Sequence, residues 1–185
     1  WKDHFPQAEV HGIDVAAACL RYGHARANAQ NREVHFHQMN AEHTDFEAGS
    51  FDVVFSSMFL HEVPRNGIAR VFDEAYRLLR PGGLMLHMEL PPNSQLSPYE
   101  SFYLDWDSSY NNEPFYKPFR DLRPEDLCRR AGFRSDKYLQ YVVPSVGWYG
   151  EEVLRHAAVS QDAVDSDKTG RLAEGIRWYC FGAWK

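Results

Sequence analysis

The stretch from Phe51 to Leu90 constrains this chain most, because it reads as a strand, a helix and a second strand in immediate succession. Phe51-Asp52-Val53-Val54-Phe55-Ser56-Ser57 is a short apolar run introduced by Gly49-Ser50, the punctuation that precedes a buried strand. From Ile68 onward, Val71, Phe72, Ala75, Leu78 and Leu79 fall on one helical stripe. Arg80-Pro81-Gly82-Gly83 stops that helix, since proline cannot continue it and glycine accepts the positive φ of a turn. Leu84 to Leu90 then supplies the second strand. Strands joined by such a crossover run parallel, so the fold class is α/β. Open sheets of this kind bind ligands beyond the carboxyl ends of their strands. Functional residues are therefore expected just after Ser57 and just after Leu90.

The flanking segments extend the pattern. Ala8 to Val15 reads as a strand ending at Asp14. Val15 to about Asn28 is alanine-rich and helical despite Gly23, and Val34 and Phe36 alternate with His35 and His37 in a third strand running out near Asn40. A connection rich in aromatic residues covers about 91–122. Pro124 and Gly132 bracket a short helix over Glu125 to Ala131, and Lys137 to Val143 reads as a strand. Residues 145–175 form a second insertion, partly helical around Glu151 to Val159, and Arg177 to Trp184 is the last strand. The 185 residues are read as one domain.

Four strings, GIDV at 12–15, NAE at 40–42, GSFDVVFS at 49–56 and LLRPGGLML at 78–86, resemble class I S-adenosylmethionine-dependent methyltransferases in order and spacing. The resemblance implies a Rossmann-like three-layer sandwich whose mostly parallel sheet ends in an antiparallel strand, here Arg177 to Trp184. The family's first strand and its glycine-rich loop have no counterpart in this sequence. The chain is accordingly read as a partial domain, and the natural chain is expected to extend upstream by that strand and turn.

The resemblance also implies roles. Asp14, followed by Val15, stands where the family binds the cofactor's ribose hydroxyls; alternatively Asp14 caps the first turn of the next helix. Asn40 and Ala41 stand where the adenine is read, the alternative being an Asx-turn at Asn40. Ser56, Ser57 and Met58 would pass beside the cofactor. His61 and Glu62 follow in the loop facing the methyl group and the acceptor, and are the candidate catalytic pair. A histidine there can take a proton near neutral pH; the alternative is that His61 packs without touching the reaction. Tyr99, Tyr103, Trp106 and Tyr110, with Trp148 after the sixth strand, are read as a substrate lid, with core packing or a dimer face as the alternative.

Composition narrows the partners. A formal charge of −6 with no basic block argues against nucleic acid, and no apolar run approaches the ~20 residues of a membrane span. Three widely spaced cysteines suggest reduced thiols in the cytoplasm. Nine histidines form no set at ligand spacing, so no metal is expected. The expected activity is methyl transfer from S-adenosylmethionine to a small organic acceptor by a monomer or homodimer. A nicotinamide-dependent oxidoreductase, or a methyltransferase-like binding protein without catalysis, is the alternative.

Overall fold

The protein is represented by a computed structural model that describes residues 1–143 and 178–185. It divides into two compact units, Trp1–Glu47 and Ala48–Lys185. The insertion expected over 145–175, its helical stretch and Trp148 lie outside the described residues.

In the first unit, β1 (His11–Asp14) and β2 (His35–Gln38) pair in parallel, with Asp14 opposite Gln38, and α1 (Ala17–Ala29) connects them. The first strand is shorter than the Ala8–Val15 expected from sequence. Glycine inside a helix costs about 1 kcal/mol relative to alanine, yet Gly23 has a reason to be there. A Cβ at Gly23 would stand 2.9 Å from the Phe36 ring, and one at Gly12 would stand 3.1 Å from it. The two glycines together make room for Phe36 between strand and helix.

In the second unit, β3 (Phe51–Ser57) and β4 (Leu79–Glu89) are parallel and joined through α2 (Arg65–Leu78), as the sequence pattern predicts. The helix turns Ile68, Val71, Phe72, Ala75 and Leu78 inward. One expectation needs correction. Arg80-Pro81-Gly82-Gly83 does not separate helix from strand: β4 already begins at Leu79, which pairs with Phe51, and Leu84 pairs next with Val53. Residues 80–83 loop out of the ladder opposite Asp52, with Gly82 at φ 81°. Lys185 fastens this bulge. Its Nζ donates to the carbonyls of Tyr76 and Leu79 at 2.7 and 2.8 Å, and its backbone exchanges bonds with Gly82 and Gly83. A cation at the carboxyl end of α2 also meets the favourable end of the helix dipole.

Two further strands complete this sheet in the order β3-β4-β6-β5. β6 (Trp178–Trp184) runs antiparallel to both β4 and β5 (Tyr138–Val143), so the expected antiparallel last strand is present. The sheet's core is Met85, His87, Glu89, Tyr179, Phe181 and Ala183. β3 stands at the edge of the described sheet, and Phe55 is half exposed instead of buried as its apolar run suggested.

The segment after β4 is more ordered than a long connection. α3 (Pro98–Tyr110) opens with a capping box in which Ser97 Oγ accepts the Glu100 amide and Glu100 accepts the Ser97 amide. α4 (Tyr116–Arg120) and α5 (Pro124–Ala131) follow, the latter closed by Gly132 in the left-handed region at φ 109°.

Gly182 lies between β4 and β5, and a Cβ there would come within 1.9 Å of the Met85 carbonyl oxygen. Backbone on both sides cannot yield to it. Gly182→Ala should lose about 3 kcal/mol or more of stability, the upper range for overpacking. Chemical denaturation checks this; an unchanged midpoint would show that the strands separate without cost.

Candidate active site

The candidate residues fall into two groups, one in each unit. In the first, Asp14 ends β1 and Asn40 stands two residues beyond β2, on adjacent parallel strands. Each side chain makes a local bond. Asp14 Oδ1 accepts the Ala16 amide at 2.7 Å, and Asn40 Oδ1 accepts the Glu42 amide at 2.9 Å. The Asn40 bond is the Asx-turn weighed as its alternative, whereas Asp14 makes a turn bond and does not cap α1, whose N-cap is Ala16 without a side-chain cap. The two bonds engage one oxygen of each side chain, so Asp14 Oδ2 and the Asn40 amide nitrogen remain to meet a ligand. Val15 is exposed and Ala41 is partly buried.

In the second unit, the chain leaves β3 through a strained residue. Met58 adopts φ 50°, a region few side chains tolerate, while its amide donates to the Met88 carbonyl at 2.8 Å. A 3-10 turn over Leu60–Glu62 follows. Glu89, at the end of β4 and fully buried, holds this turn. Its Oε1 accepts the amides of Phe59 and Leu60 at 2.9 and 2.7 Å, and its Oε2 accepts from His61 Nδ1 at 2.7 Å. A carboxylate only accepts, so the Nδ1 proton is fixed and Nε2 is the basic nitrogen of the neutral ring. Nε2 stands 3.6 Å from Glu62 Oε1.

His61 is buried, which by itself disfavours the imidazolium. The Glu89 hydrogen bond, with the charges of Glu89, Glu62 and Glu113, outweighs burial, and the pKa rises above 6.5. Tyr116 meets the His61 ring edge-on at 5.1 Å, and the Arg120 guanidinium lies 5.2 Å from the Tyr116 ring centroid. Burial pushes the Tyr116 phenol well above 10. It also raises Glu113, with Glu62 and Asp107 adding to the shift against the opposing effect of His61.

The other expected residues are placed differently. Ser56 directs its hydroxyl at His87 Nδ1, 2.7 Å away inside the sheet, and Ser57 is exposed. His87 itself is sealed beside Phe72 and Phe181, and burial brings its pKa down to about 3. Tyr103, Trp106 and Tyr110 form a contiguous row along α3, with centroids 5.9 and 4.8 Å apart, and Tyr99 is exposed on the same helix. Trp106 retains 47% exposure, whereas the buried positions of α3 are Leu104 and Ser108. These aromatics are therefore not core. Among the described residues no three His, Cys, Asp or Glu side chains are grouped to hold a metal. Sequence reading missed Glu89 and Arg120, and counted Tyr116 only as one aromatic of the 91–122 segment. The position of Glu89 at a strand's carboxyl end was the available signal; burial of the other two has none.

Parallel strands joined by helices, with polar side chains at their carboxyl ends, define a Rossmann-like α/β protein of the ligand-binding kind. Comparison with known proteins narrows this. The profile of a family described as "Methyltransferase domain" matches residues 1–83. A demethylmenaquinone methyltransferase of Thermus thermophilus is 33% identical over 91 residues, covering 49% of this chain and 40% of that protein. An uncharacterized protein of Mycobacterium tuberculosis is 35% identical over 132 residues, covering 71% and 43%. The crystal structure of an S-adenosylmethionine-dependent methyltransferase from Methanosarcina mazei superposes with a TM-score of 0.59 at 20% identity, covering 96% of this chain and 82% of that one. Over these stretches the chain is similar to S-adenosylmethionine-dependent methyltransferases, and the solved structure shares its fold. The chain spans about two fifths of the length of the curated relatives it matches.

The His61–Glu89 pair has a measurable signature. A group whose folded pKa is raised stabilises the fold fully below its unfolded value, 6.5, and that contribution disappears as pH rises through the folded value. In Glu89→Gln the His61 pKa, followed by NMR of the ring, should fall. Stability should drop by about 1–3 kcal/mol as the Phe59 and Leu60 amides lose a charged acceptor. An unmoved His61 titration would mean that the pair is not coupled.

Proposed function

We propose that the protein transfers a methyl group from S-adenosylmethionine to a small organic acceptor. The observation carrying this reading is that Asp14 ends β1, Asn40 stands two residues beyond β2, His61 lies in the turn after β3 and Glu89 ends β4, on a chain whose residues 1–83 match a methyltransferase domain. The donor set fits the cofactor. Asp14 Oδ2 can accept from ribose hydroxyls, and the Asn40 side chain with the Ala41 amide can address the adenine edge. When bound, S-adenosylmethionine supplies an electrophilic methyl group on a sulfonium sulfur.

The chain's own residues supply placement and proton handling. Met58 and the turn after it, fixed by Glu89, set the direction of His61. Neutral His61 accepts a proton at Nε2 from an acceptor hydroxyl or amine, and Glu89 and Glu62 stabilise the imidazolium that results. The raised pKa makes the neutral ring a stronger base and leaves less of it unprotonated as pH falls. α3 packs on α4, and α4 on the turn that carries His61. The aromatic row of α3 is thus suited to cover a flat or apolar acceptor and exclude water.

No helix among the described residues is long and apolar enough to cross a membrane. All three cysteines are unpaired, in keeping with a cytoplasmic enzyme. We read its partner as the acceptor, with no nucleic acid, in a monomer or homodimer.

Calorimetry with S-adenosylhomocysteine tests the cofactor half. Asp14→Ala should weaken binding by about tenfold to a hundredfold, the effect of losing hydrogen bonds to a charged acceptor. Unchanged affinity with lower stability would make Asp14 a turn residue alone, and preferential binding of a nicotinamide dinucleotide would move the protein to the oxidoreductase class. Steady-state kinetics tests the lid. Trp106→Ala and Tyr103→Ala should raise the acceptor KM or lower kcat while leaving cofactor affinity unchanged; equal losses in both would remove the lid.

A further inference from the structure

We infer that Arg120 and Tyr116 bind an oxyanion carried by the methyl acceptor, a carboxylate or a phosphate group, beside His61. The inference rests on the methyl-transfer reading and assigns the acceptor's chemical class. Arg120 and Tyr116 are each about 1% exposed, among the largest fully buried side chains of the described structure. Arg120 Nη2 is bonded to Asp105 on α3, but Nε and Nη1 are buried without an acceptor, and so is the Tyr116 hydroxyl. Buried donors are almost always matched, and each one left unmatched costs about 1–3 kcal/mol. The fourth such atom among the described residues, His87 Nε2, belongs to the sheet core. At this place, then, the deficit consists of three groups able to donate, two on a cation and one on a phenol. What would satisfy it is an acceptor.

Charge favours an anionic one. Asp105 is divided between Arg120 and Lys117, whose Nζ lies 2.8 Å from Oδ2. Hydrogen bonding from Lys117 first, then the charge of Arg120, holds the Asp105 carboxyl below its usual range. Two cations thus share one carboxylate. The nearby Glu89 is committed to Phe59, Leu60 and His61, and burial raises the Glu113 pKa from its ordinary value. A guanidinium in this state is matched in charge and donor geometry by a carboxylate or phosphate oxygen. The donors are sealed from solvent, so α3 must shift to admit the oxyanion. That helix is lightly held: of its 13 residues only Leu104 and Ser108 are fully buried. Held there, the oxyanion would place the rest of the acceptor next to His61, whose ring touches that of Tyr116.

Calorimetry on the complete protein with benzoate, phenyl phosphate and the neutral benzamide tests this. At least one anionic probe should bind about tenfold or more tightly than benzamide, the better of the two assigning carboxylate or phosphate. Arg120→Met should abolish the preference and Tyr116→Phe should reduce it, with S-adenosylhomocysteine affinity unchanged. Equal binding of charged and neutral probes, or a preference that survives Arg120→Met, overturns the inference. If circular dichroism shows that Arg120→Met does not fold, the wild-type preference and its reduction in Tyr116→Phe decide the matter. Anion preference without cofactor binding would refute the methyl-transfer reading alone, and cofactor binding without anion preference would refute the oxyanion site alone.

Discussion

The site in the second unit depends on one buried carboxylate. Glu89 has no water to solvate it, so its charge must be met by hydrogen-bond donors from the protein. Those donors are two successive backbone amides and an imidazole, all from the segment that leaves the neighbouring strand. The arrangement ties the end of β4 to the exit of β3, just after the left-handed Met58, and fixes which histidine nitrogen carries its proton. A turn that would otherwise be a loose connection becomes part of the sheet's rigid end. Rigidity of this kind holds a reacting group in one orientation, which is how positioning contributes to rate.

The sheet beneath is built to keep that end fixed. β4 is bonded on both sides, in parallel to β3 and antiparallel to β6. Lys185 fastens the opposite end of β4 to the last turn of α2. The strand is therefore anchored at its start by a cation on helix carbonyls and at its finish by an anion on backbone amides. The apolar stripe of α2 fills the space between. His87, neutral and sealed, adds a polar bond to Ser56 within that core.

Much of this frame was legible in the sequence. Phe51–Ser57 and the helical stripe after Ile68 needed only periodicity and glycine-proline punctuation, and Pro124 and Gly132 bracketed α5 because each has a steric reason for its place. The start of β4 was misjudged because Pro81-Gly82-Gly83 signals a turn whether it stands between elements or loops out of a ladder. α3 was readable in part from Ser97 and Glu100, whose spacing is that of a capping box, but aromatic residues on its outer face obscured the usual amphipathic pattern. Glu89 and Arg120 are different. A single charged residue at a strand end or in a short helix has no spacing to interpret, and only three-dimensional burial reveals that its partners are chosen or lacking. Asp14 and Asn40 were located by family resemblance, and their bonds to nearby amides could have been anticipated from residue type alone.

The close fit of Phe36 against Gly12 and Gly23 has an evolutionary consequence. A side chain at Gly23 or Gly12 would push on the phenyl ring at 2.9 and 3.1 Å and require it to shift, and the ring cannot shrink without leaving a void between strand and helix. Change at these three positions must therefore be concerted. A lineage that replaces Phe36 by a smaller residue becomes free to exchange glycine for alanine in α1, and gains helix propensity in return. Residues distant in the chain would then drift together, leaving a correlated trace among descendants at a place where no chemistry occurs.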